Sequence, residues 1–293
     1  EDDELGGFRR GDGDLGDDQA DVDVGLGHRL PQPDPHPVGL LGPGAGQGAG
    51  RAIALALARH NAGGVAVNDF VAERAATVVE EIRALGVPAM AAPADVGDCD
   101  SVKTAMAAAA QALGPITLLV NNAGNAGPTA AMGLSPPFWE TEPRDWDRYF
   151  RTNLHGVMNC CHVALPGMVA QGQGRIVTVI SDAGRIGDAG LVAYSAAKAG
   201  AAGFVRAIAR ETGRYGITSN AISLSTLEPP LEEADMAEFL ASDRTRAQLS
   251  RYVIRRFGKP DDVANMALLL CSDAASWITG QTYPVNGGYS FAQ

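Results

Sequence analysis

A tyrosine and a lysine stand four residues apart in the run Tyr194-Ser195-Ala196-Ala197-Lys198, which continues Ala, Gly, Ala, Ala, Gly. Small, helix-compatible residues predict a helix here, and a spacing of four places the phenol and the ammonium on one helix face. A phenol ordinarily loses its proton near pH ~10. An ammonium held beside it favours the phenolate and lowers that value. A tyrosine tuned in this way can exchange a proton with an alcohol or a ketone near neutral pH. Ser181 closes the apolar run Ile176-Val177-Thr178-Val179-Ile180 and opens Ser181-Asp182-Ala183-Gly184. A hydroxyl at the tip of a buried strand is placed to hold a substrate oxygen. Taken alone, a Tyr and a Lys at this spacing are more often a packed ring and a solvated ammonium, so the pair draws its weight from the elements around it.

The chain has 293 residues, of which 46% are hydrophobic and 19% charged, enough for a sizeable core. Its apolar runs are broken before membrane-spanning length. No stretch combines a basic start, an apolar middle and a small-residue cleavage site. Cys99, Cys160, Cys161 and Cys271 fit neither a disulfide framework nor paired metal-ligand spacing, and adjacent Cys160 and Cys161 read as small hydrophobes inside a helix. These features point to a cytoplasmic protein with no metal. The net charge of −11 argues against a nucleic-acid partner. Most of that charge lies in residues 1–37, which hold eleven acids, three arginines and no lysine and end Leu-Pro-Gln-Pro-Asp-Pro-His-Pro. This segment reads as disordered. Lysine-free text rich in Gly, Asp, Arg and Pro also arises when GC-rich coding sequence is read out of frame. The remainder, residues 38–293, reads as one domain.

From Val38 the pattern changes. Val38-Gly39-Leu40-Leu41 is a short strand weakened by glycine, followed by Gly42-Pro43-Gly44-Ala45-Gly46-Gln47-Gly48-Ala49-Gly50 and a strong helix from Arg51 to Arg59. A strand, a glycine turn and a helix start make an anion site, because glycines let the backbone approach a pyrophosphate and the helix offers free N–H groups. The glycines fit Gly44-x-Gly46-x-x-Ala49 or Gly44-x-x-x-Gly48-x-Gly50. No Gly-Lys-Ser/Thr follows, which excludes a P-loop nucleotide hydrolase. The next strand, Val65 to Phe70, carries Asp69 nineteen residues past Gly50, the expected distance for a carboxylate that binds an adenosine ribose diol. Asp69 would repel a 2′-phosphate, and no basic residue stands at Gln47 or Phe70 to attract one. The expected cofactor is therefore NAD rather than NADP. Helices over 72–85 and 101–113 then alternate with strands over 87–94 and 116–120. Alternating strands and helices with buried strands predict an α/β fold, a doubly wound parallel sheet of Rossmann type in three α/β/α layers. Ligands in such sheets bind beyond the carboxyl ends of the strands, where Asp69, Asp95, Asn121 and Ser181 all fall.

From Val38 onward the chain resembles the single-domain branch of the short-chain dehydrogenase/reductase family. The shared motifs are Gly44-x-x-x-Gly48-x-Gly50, Asp95-Val96, Asn121-Asn122-Ala123-Gly124, Asn153-Leu154-x-Gly156, Ser181 and Tyr194-x-x-x-Lys198. Further matches are the run from Arg256 to Ala264, Ser276-Trp277-Ile278-Thr279-Gly280-Gln281 and Val285-Asn286-Gly287-Gly288. The resemblance implies an NAD(P)-dependent oxidoreductase that interconverts a secondary alcohol and a ketone. Tyr194 would be the general acid/base, and Lys198 would lower its pKa and bond the nicotinamide ribose. Ser181 would fix the substrate oxygen, and Asn153 would hold a water linking Lys198 to solvent. The implied cofactor site comprises Gly44, Gln47, Gly48, Ala49, Gly50, Asp69, Asp95, Val96, Asn121, Ala123 and Gly124, with Tyr194, Lys198 and Thr226. It also implies a homo-oligomer, a tetramer or dimer, packed through the helices near 158–169 and 197–210.

Some positions depart from the family. Pro43 replaces a Thr before the first glycine. Leu224-Ser225 and Pro229 replace the Pro-Gly and the Thr that follow the sixth strand, which leaves Thr226 as the nearest hydroxyl for the nicotinamide end. The polar stretch 223–251 matches the family's substrate lid, a segment that closes to exclude water. The insert 128–142, with Phe138 and Trp139, is expected at the same mouth. Asp182 and Arg185 are placed to contact a polar substrate or each other. Two other readings are an NADPH-dependent 3-oxoacyl-thioester reductase, which Asp69 opposes, and a dinucleotide-binding scaffold impaired by Pro43 and the weak first strand.

Overall fold

The computed structural model describes residues 38–41, 44–122, 124 and 136–291. Segment 1–37, Pro43, Ala123 and most of the insert at 128–142 lie outside the described residues.

Seven strands form one parallel sheet in the order β3-β2-β1-β4-β5-β6-β7. The glycine-weakened first strand, β1 (Val38–Leu41), takes a place near the middle, paired with β2 (Gly64–Val67) on one side and β4 (Ile116–Asn121) on the other, with a register shift between Val38 and Gly39. Two neighbours satisfy its backbone, which offsets the poor strand propensity of glycine. β3 (Ala89–Ala91) is much shorter than the expected 87–94 and lies at one edge. Pro88 and Pro93 bracket it, and neither has an N–H for the ladder. β2 also stops early, at Val67, because the chain leaves the ladder at Asn68 and Asp69. The Asn68 amide donates to Ala92 O at 2.7 Å, and the Asp69 carboxylate accepts from Val71 N at 2.9 Å to close a turn. β5 (Gly174–Ser181), β6 (Ile217–Leu224) and β7 (Thr282–Val285) complete the sheet.

Helices cover both faces. On one side α1 (Gly48–Arg59), α2 (Ala72–Ala84) and α10 (Pro260–Cys271) pack around Ile53, Leu57, Val78, Ile82, Val263 and Leu270. On the other, α3 (Cys99–Leu113), α5 (Gly156–Gln171) and α7 (Val192–Thr212) pack around Met106, Val157, Cys161, Met168 and Val205. Cys160 and Cys161 are among these core residues, and burial pushes both thiols up, Cys161 to about 12. Both are small apolar packing groups, as expected. Before α5 a short helix, α4 (Asp147–Phe150), runs into one wide turn of π-helix at Arg151–His155. After β5 a single turn, α6 (Ala183–Ile186), leads to α7, and α8 (Glu233–Ala241) and α9 (Asp243–Leu249) fill most of the stretch expected to be a lid. Among the described residues no helix is long and apolar enough to cross a membrane.

The strand order reverses between β1 and β4, so the loops after these strands diverge and leave a crevice at their carboxyl ends. The wide turn before α5 brings Gly156 against the strand-end loop. A methyl group on Gly156 would lie 2.6 Å from Val96 Cγ2. Gly156→Ala should therefore destabilise the fold by about 1–3 kcal/mol through overpacking. Gly213→Ala, at a helical position with no neighbour within 4 Å, should be neutral or slightly stabilising. Thermal unfolding of the two variants checks the contrast.

Candidate active site

β5 carries Ser181 to its carboxyl end, and α7 carries Tyr194 and Lys198 one helical turn apart. Gly184 makes their approach possible. A methyl group there would lie 2.8 Å from Ala199 N and from Lys198 C and Cβ, so only a glycine lets α6 lie this close to α7. The Ser181 hydroxyl accepts from Ala183 N at 3.2 Å and lies close enough to the Tyr194 phenol for its hydrogen-bonding to lower the phenol. Lys198 is only 2% exposed, and its ammonium donates to the carbonyl of Val179 at 2.9 Å. Asn153 is fully buried in the π turn, where its amide donates to Tyr149 O at 2.9 Å. A methyl group on Gly124 would lie 3.6 Å from Lys198 Nζ and 3.8 Å from Asn153 Oδ1, so both polar groups flank the same glycine. The four residues expected to do chemistry are thus gathered at one end of the sheet.

The electrostatics differ from expectation at one point. Burial lowers the Lys198 ammonium to about 8. The Tyr194 phenol is shifted up rather than down, because burial raises it more than the hydrogen bond from Ser181 lowers it. Lys198 Nζ lies 5.9 Å from the Tyr194 ring centroid and is committed to the Val179 carbonyl, so it does not offset that burial.

A cleft of about 430 Å³ runs beside this cluster, lined among others by Gly44, Gln47, Asp69, Phe70, Asp95 and Val96, with Gly124 on its wall. Its floor is the start of α1. Gln47 leads into the helix without a side-chain cap, so the first N–H groups of the helix are open to a ligand. Gly44 and Gly48 have φ of +83° and +51°, conformations that L side chains rarely adopt. A methyl group on Gly50 would lie 2.7 Å from Ala45 Cα and from Asn122 Nδ2. Ala49 is buried just inside the helix. Asp69 is 3% exposed, and its second oxygen accepts from Gly46 N at 3.1 Å, tying the acid to the glycine loop. Asp95 accepts from Gly97 N at 2.9 Å and pairs with Arg151 at 2.7 Å. This combination of a glycine cradle, an uncapped helix start and an acid at the second strand fits a dinucleotide.

Two expected positions fall elsewhere. The Asn121 side chain is buried beneath the sheet end, donating to Thr178 Oγ1 at 3.3 Å and lying 3.5 Å from Cys161 Sγ, so it braces β4 against β5 instead of facing the cleft. Its neighbour Asn122 reaches the glycine loop, donating to Gly44 O at 3.3 Å. The Thr226 hydroxyl accepts from Gln248 Nε2 of α9 at 2.9 Å, and Thr226 N donates to the Tyr252 hydroxyl at 3.2 Å. Asp182 and Arg185 pair with each other at 3.0 Å. Phe138 stacks on Trp146 at 5.0 Å beside a small pocket of about 130 Å³ that Tyr194 also lines, while Trp139 is 82% exposed and does not line it. Sequence reasoning also missed Arg74, whose Cβ would lie 2.6 Å from a methyl group on Gly46, and Arg148 and Arg151 on the cleft wall. Only a fold that returns α2, α4 and the π turn to the neighbourhood of the glycine loop reveals these three.

A parallel doubly wound sheet with a glycine-cradle cleft and a Tyr–Lys pair beside it defines an oxidoreductase of the dinucleotide-binding class. A family model described as enoyl-(acyl carrier protein) reductase matches residues 44–290. The chain belongs to the short-chain dehydrogenase/reductase family. It is 39% identical over 216 residues to the 3-oxoacyl-[acyl-carrier-protein] reductase FabG of Staphylococcus aureus strain Mu50, covering 74% of this chain and 83% of that protein. It is 37% identical over 226 residues to the BbsD subunit of (2S)-[(R)-hydroxy(phenyl)methyl]succinyl-CoA dehydrogenase of Thauera aromatica, covering 77% and 86%. Among solved structures, it is similar to a gluconate 5-dehydrogenase of Burkholderia cenocepacia J2315 in complex with NADP and tartrate. That likeness has a TM-score of 0.77 and 29% identity, and covers 88% of this chain and 96% of the other. A protein of Sinorhizobium meliloti 1021 assigned as a short-chain alcohol dehydrogenase gives a TM-score of 0.77 at 34% identity, covering 86% and 96%.

Burial of Lys198 has a consequence for stability. The unfolded lysine titrates near pH ~10.4, and the folded one at about 8. Between these values the unfolded state holds more protons, so this group makes stability rise with pH, and the gain is lost as pH falls back through the folded value. Unfolding of the native chain and of Lys198→Met, followed from pH 8 to 10, should show the native chain gaining on the variant by up to about 1.4 kcal/mol per pH unit.

Proposed function

We propose that this oxidoreductase interconverts a secondary alcohol and a ketone, with Tyr194 as general acid/base and NAD as the preferred cofactor. The observation that carries the reading is the gathering of the Ser181 hydroxyl, the Tyr194 phenol and the buried Lys198 ammonium at the carboxyl end of β5. When bound, the nicotinamide ring accepts or donates the hydride. The chain's own groups handle the oxygen and its proton. Ser181 donates to the substrate oxygen, and Tyr194 takes the alcohol proton or returns it to the forming alcohol. Lys198 and Asn153 lie behind the phenol, at the backbone of Gly124, where they form the inner end of a proton route. The raised phenol makes oxidation an alkaline reaction and reduction a neutral one, since the phenolate is the form that accepts a proton. Gly44, Gln47, Gly48, Ala49 and Gly50 would hold the pyrophosphate, Asp69 the adenosine ribose, and Asp95 and Val96 the adenine edge. Gly124 would lie along the nicotinamide half. Thr226 would meet the carboxamide only after release from Gln248. Ala123, in the same motif, is outside the described residues.

The NAD preference rests on Asp69, whose carboxylate occupies the ground a 2′-phosphate would need. A second reading, NADP use, has its own observation. Arg74 packs on Gly46, and among the described residues no hydrogen bond or ion pair engages its guanidinium, which is therefore available to a phosphate. The relative bound to NADP points the same way. Thioester reduction, the reaction of the FabG relative, is a further possibility for the substrate. It is disfavoured by the composition of the stretch from Thr226 to Ser242, which holds five acids (Glu228, Glu232, Glu233, Asp235, Glu238) and no base to pair with a phosphate-bearing carrier.

Steady-state kinetics with both cofactors and a panel of secondary alcohols and ketones tests these assignments. Tyr194→Phe should lower kcat by about 10²–10⁴-fold with little change in cofactor affinity. A variant that keeps more than a tenth of the activity would remove Tyr194 from the proposed role. Asp69→Ser should shift the NAD-to-NADP ratio of kcat/KM at least about tenfold toward NADP, a difference of about 1.4 kcal/mol. Should the native chain already prefer NADP, and lose that preference in Arg74→Ala, the second reading replaces the first.

A further inference from the structure

Asp182 follows Ser181 directly, yet it faces neither the cleft nor the phenol. It is 2% exposed. Its Oδ1 accepts from Ser223 Oγ at 2.8 Å and from Arg185 Nη1 at 3.0 Å, and its Oδ2 accepts from Asn286 Nδ2 at 2.7 Å. Its own N–H donates to Leu224 O at 2.8 Å. Arg185 goes on to the end of the chain, with Nη1 donating to Ser290 Oγ at 2.9 Å and Nη2 to Phe291 O at 2.6 Å. Asn286 Nδ2 reaches the same segment at Ser290 O, 2.9 Å away. One carboxylate therefore joins the tip of β5, the tip of β6, the turn α6 and the C-terminal segment.

The C-terminal segment in turn holds the far end of the lid. Gly287 O accepts from Ile254 N at 2.9 Å, and a methyl group on Gly287 would lie 3.3 Å from the Tyr252 ring. Tyr252 packs against Tyr289 at 5.1 Å, and its hydroxyl is hydrogen-bonded to Ser225 and accepts from Thr226 N. A continuous set of short contacts thus runs from Asp182 through Asn286 and Tyr252 to both ends of the stretch that carries α8 and α9.

We propose that Asp182, with Arg185 and Asn286, is a positioning group that fixes the Ser181 hydroxyl on the phenol and sets the hinges of the lid in register with it. The inference rests on the reading of Ser181 and Tyr194 as the reaction centre. A buried carboxylate suits this task better than an apolar side chain. It accepts from three separate elements at once, and loss of any one partner leaves charge unpaired, so the arrangement has one low-energy geometry. A serine displaced by an ångström loses much of its hold on the substrate oxygen and on the phenol.

The test uses the full chain and Asp182→Asn. The new amide keeps its size and can still accept from Ser223 and Arg185, but it turns a donor toward the donor of Asn286. We expect kcat to fall about 10–100-fold, with cofactor affinity unchanged in a fluorescence titration. We also expect the pH limb of kcat for alcohol oxidation to move upward, because a loosened Ser181 no longer lowers the phenol. The double variant Asp182→Asn/Asn286→Asp restores a donor–acceptor pair with reversed polarity at this contact, gives up the donation from Asn286 to Ser290 O, and should recover part of kcat. A folded Asp182→Asn chain whose kcat and pH limb match the native ones would overturn the proposal, whatever its melting temperature. If Asp182→Asn does not fold, Ser290→Ala decides. It removes one contact each from Arg185 and Asn286, and it should lower kcat several-fold and raise the limb, while an unchanged profile again overturns the proposal. Tyr194→Phe separates the two levels. If that variant stays active, the reading of the reaction centre fails. If it is inactive while Asp182→Asn is native-like, only the positioning role fails.

Discussion

An ammonium group buried at the carboxyl end of the sheet constrains more of this structure than any other single group. Lys198 is 2% exposed and bonded to the carbonyl of Val179. Taking a charge out of water costs several kcal/mol even after relaxation, so the fold must supply partners at fixed places. Val179 O lies one residue beyond the ladder position that pairs Thr178 with Ala221, within the last three residues of β5. α7 must therefore cross directly over that strand end. Gly184 permits the crossing, because its missing side chain is what lets α6 and α7 meet. The π turn at 151–155 brings Asn153 to the same place, beside Gly124. A wide turn adds a residue to the helical repeat and rotates the next helical segment, so a side chain can point inward where a regular helix would point it elsewhere.

The same constraint relates the two halves of the site. The cleft proposed for the cofactor is built from β1, β2 and β4, and the proposed reaction cluster from β5 and α7. These meet at Gly124, where an added methyl group would touch both Lys198 and Asn153. Asn122, two residues earlier, ties β4 to the glycine loop through Gly44 O. One short strand-end segment thus touches the glycine loop at one end and the Lys198 and Asn153 side chains at the other. A displacement of that segment moves both, so cofactor position and phenol position are not independent in this fold.

Much of this was legible in the sequence, and the exceptions share a physical cause. The alternation of strands and helices, Asp69 beyond the second strand and the spacing of Tyr194 from Lys198 are local patterns, and local patterns follow from the helical and strand periods. The strand lengths were less legible, because Pro88, Pro93 and the side chains of Asn68 and Asp69 end β2 and β3 earlier than apolar content suggests. Asn121 and Asn122 were indistinguishable by type. Which of them faces the core depends on the position at which β4 leaves the ladder, and that is a property of its neighbours. The shift of the Tyr194 phenol was misjudged in sign because sequence spacing gives proximity to an ammonium but not the depth of burial. Arg148 and Arg151 come to the cleft, and Arg74 to Gly46, from helical segments separated from them in sequence. The Asp182 network was the least legible, since Asn286 lies 104 positions away.

That pattern of legibility says something about how the site is organised. Groups proposed to touch the reactants, Ser181, Tyr194, Lys198 and Asp69, announce themselves through residue type at short spacing. Groups that hold them do so through contacts that only the closed fold creates, and their types are interchangeable in principle. A buried acid such as Asp182 breaks this symmetry. An ionisable side chain with three donors and almost no exposure is not a neutral filler, because an apolar residue in its place would take from the Asn286 amide, the Ser223 hydroxyl and the Arg185 guanidinium the one acceptor they share. The demand therefore comes from four elements that must agree on one position, and the element they agree about is the tip of β5, which ends in Ser181. Apolar packing alone tolerates small shifts of such a tip. Directional bonds to a single carboxylate do not, and this is the physical reason to look for the precision of the site behind the serine rather than in front of it.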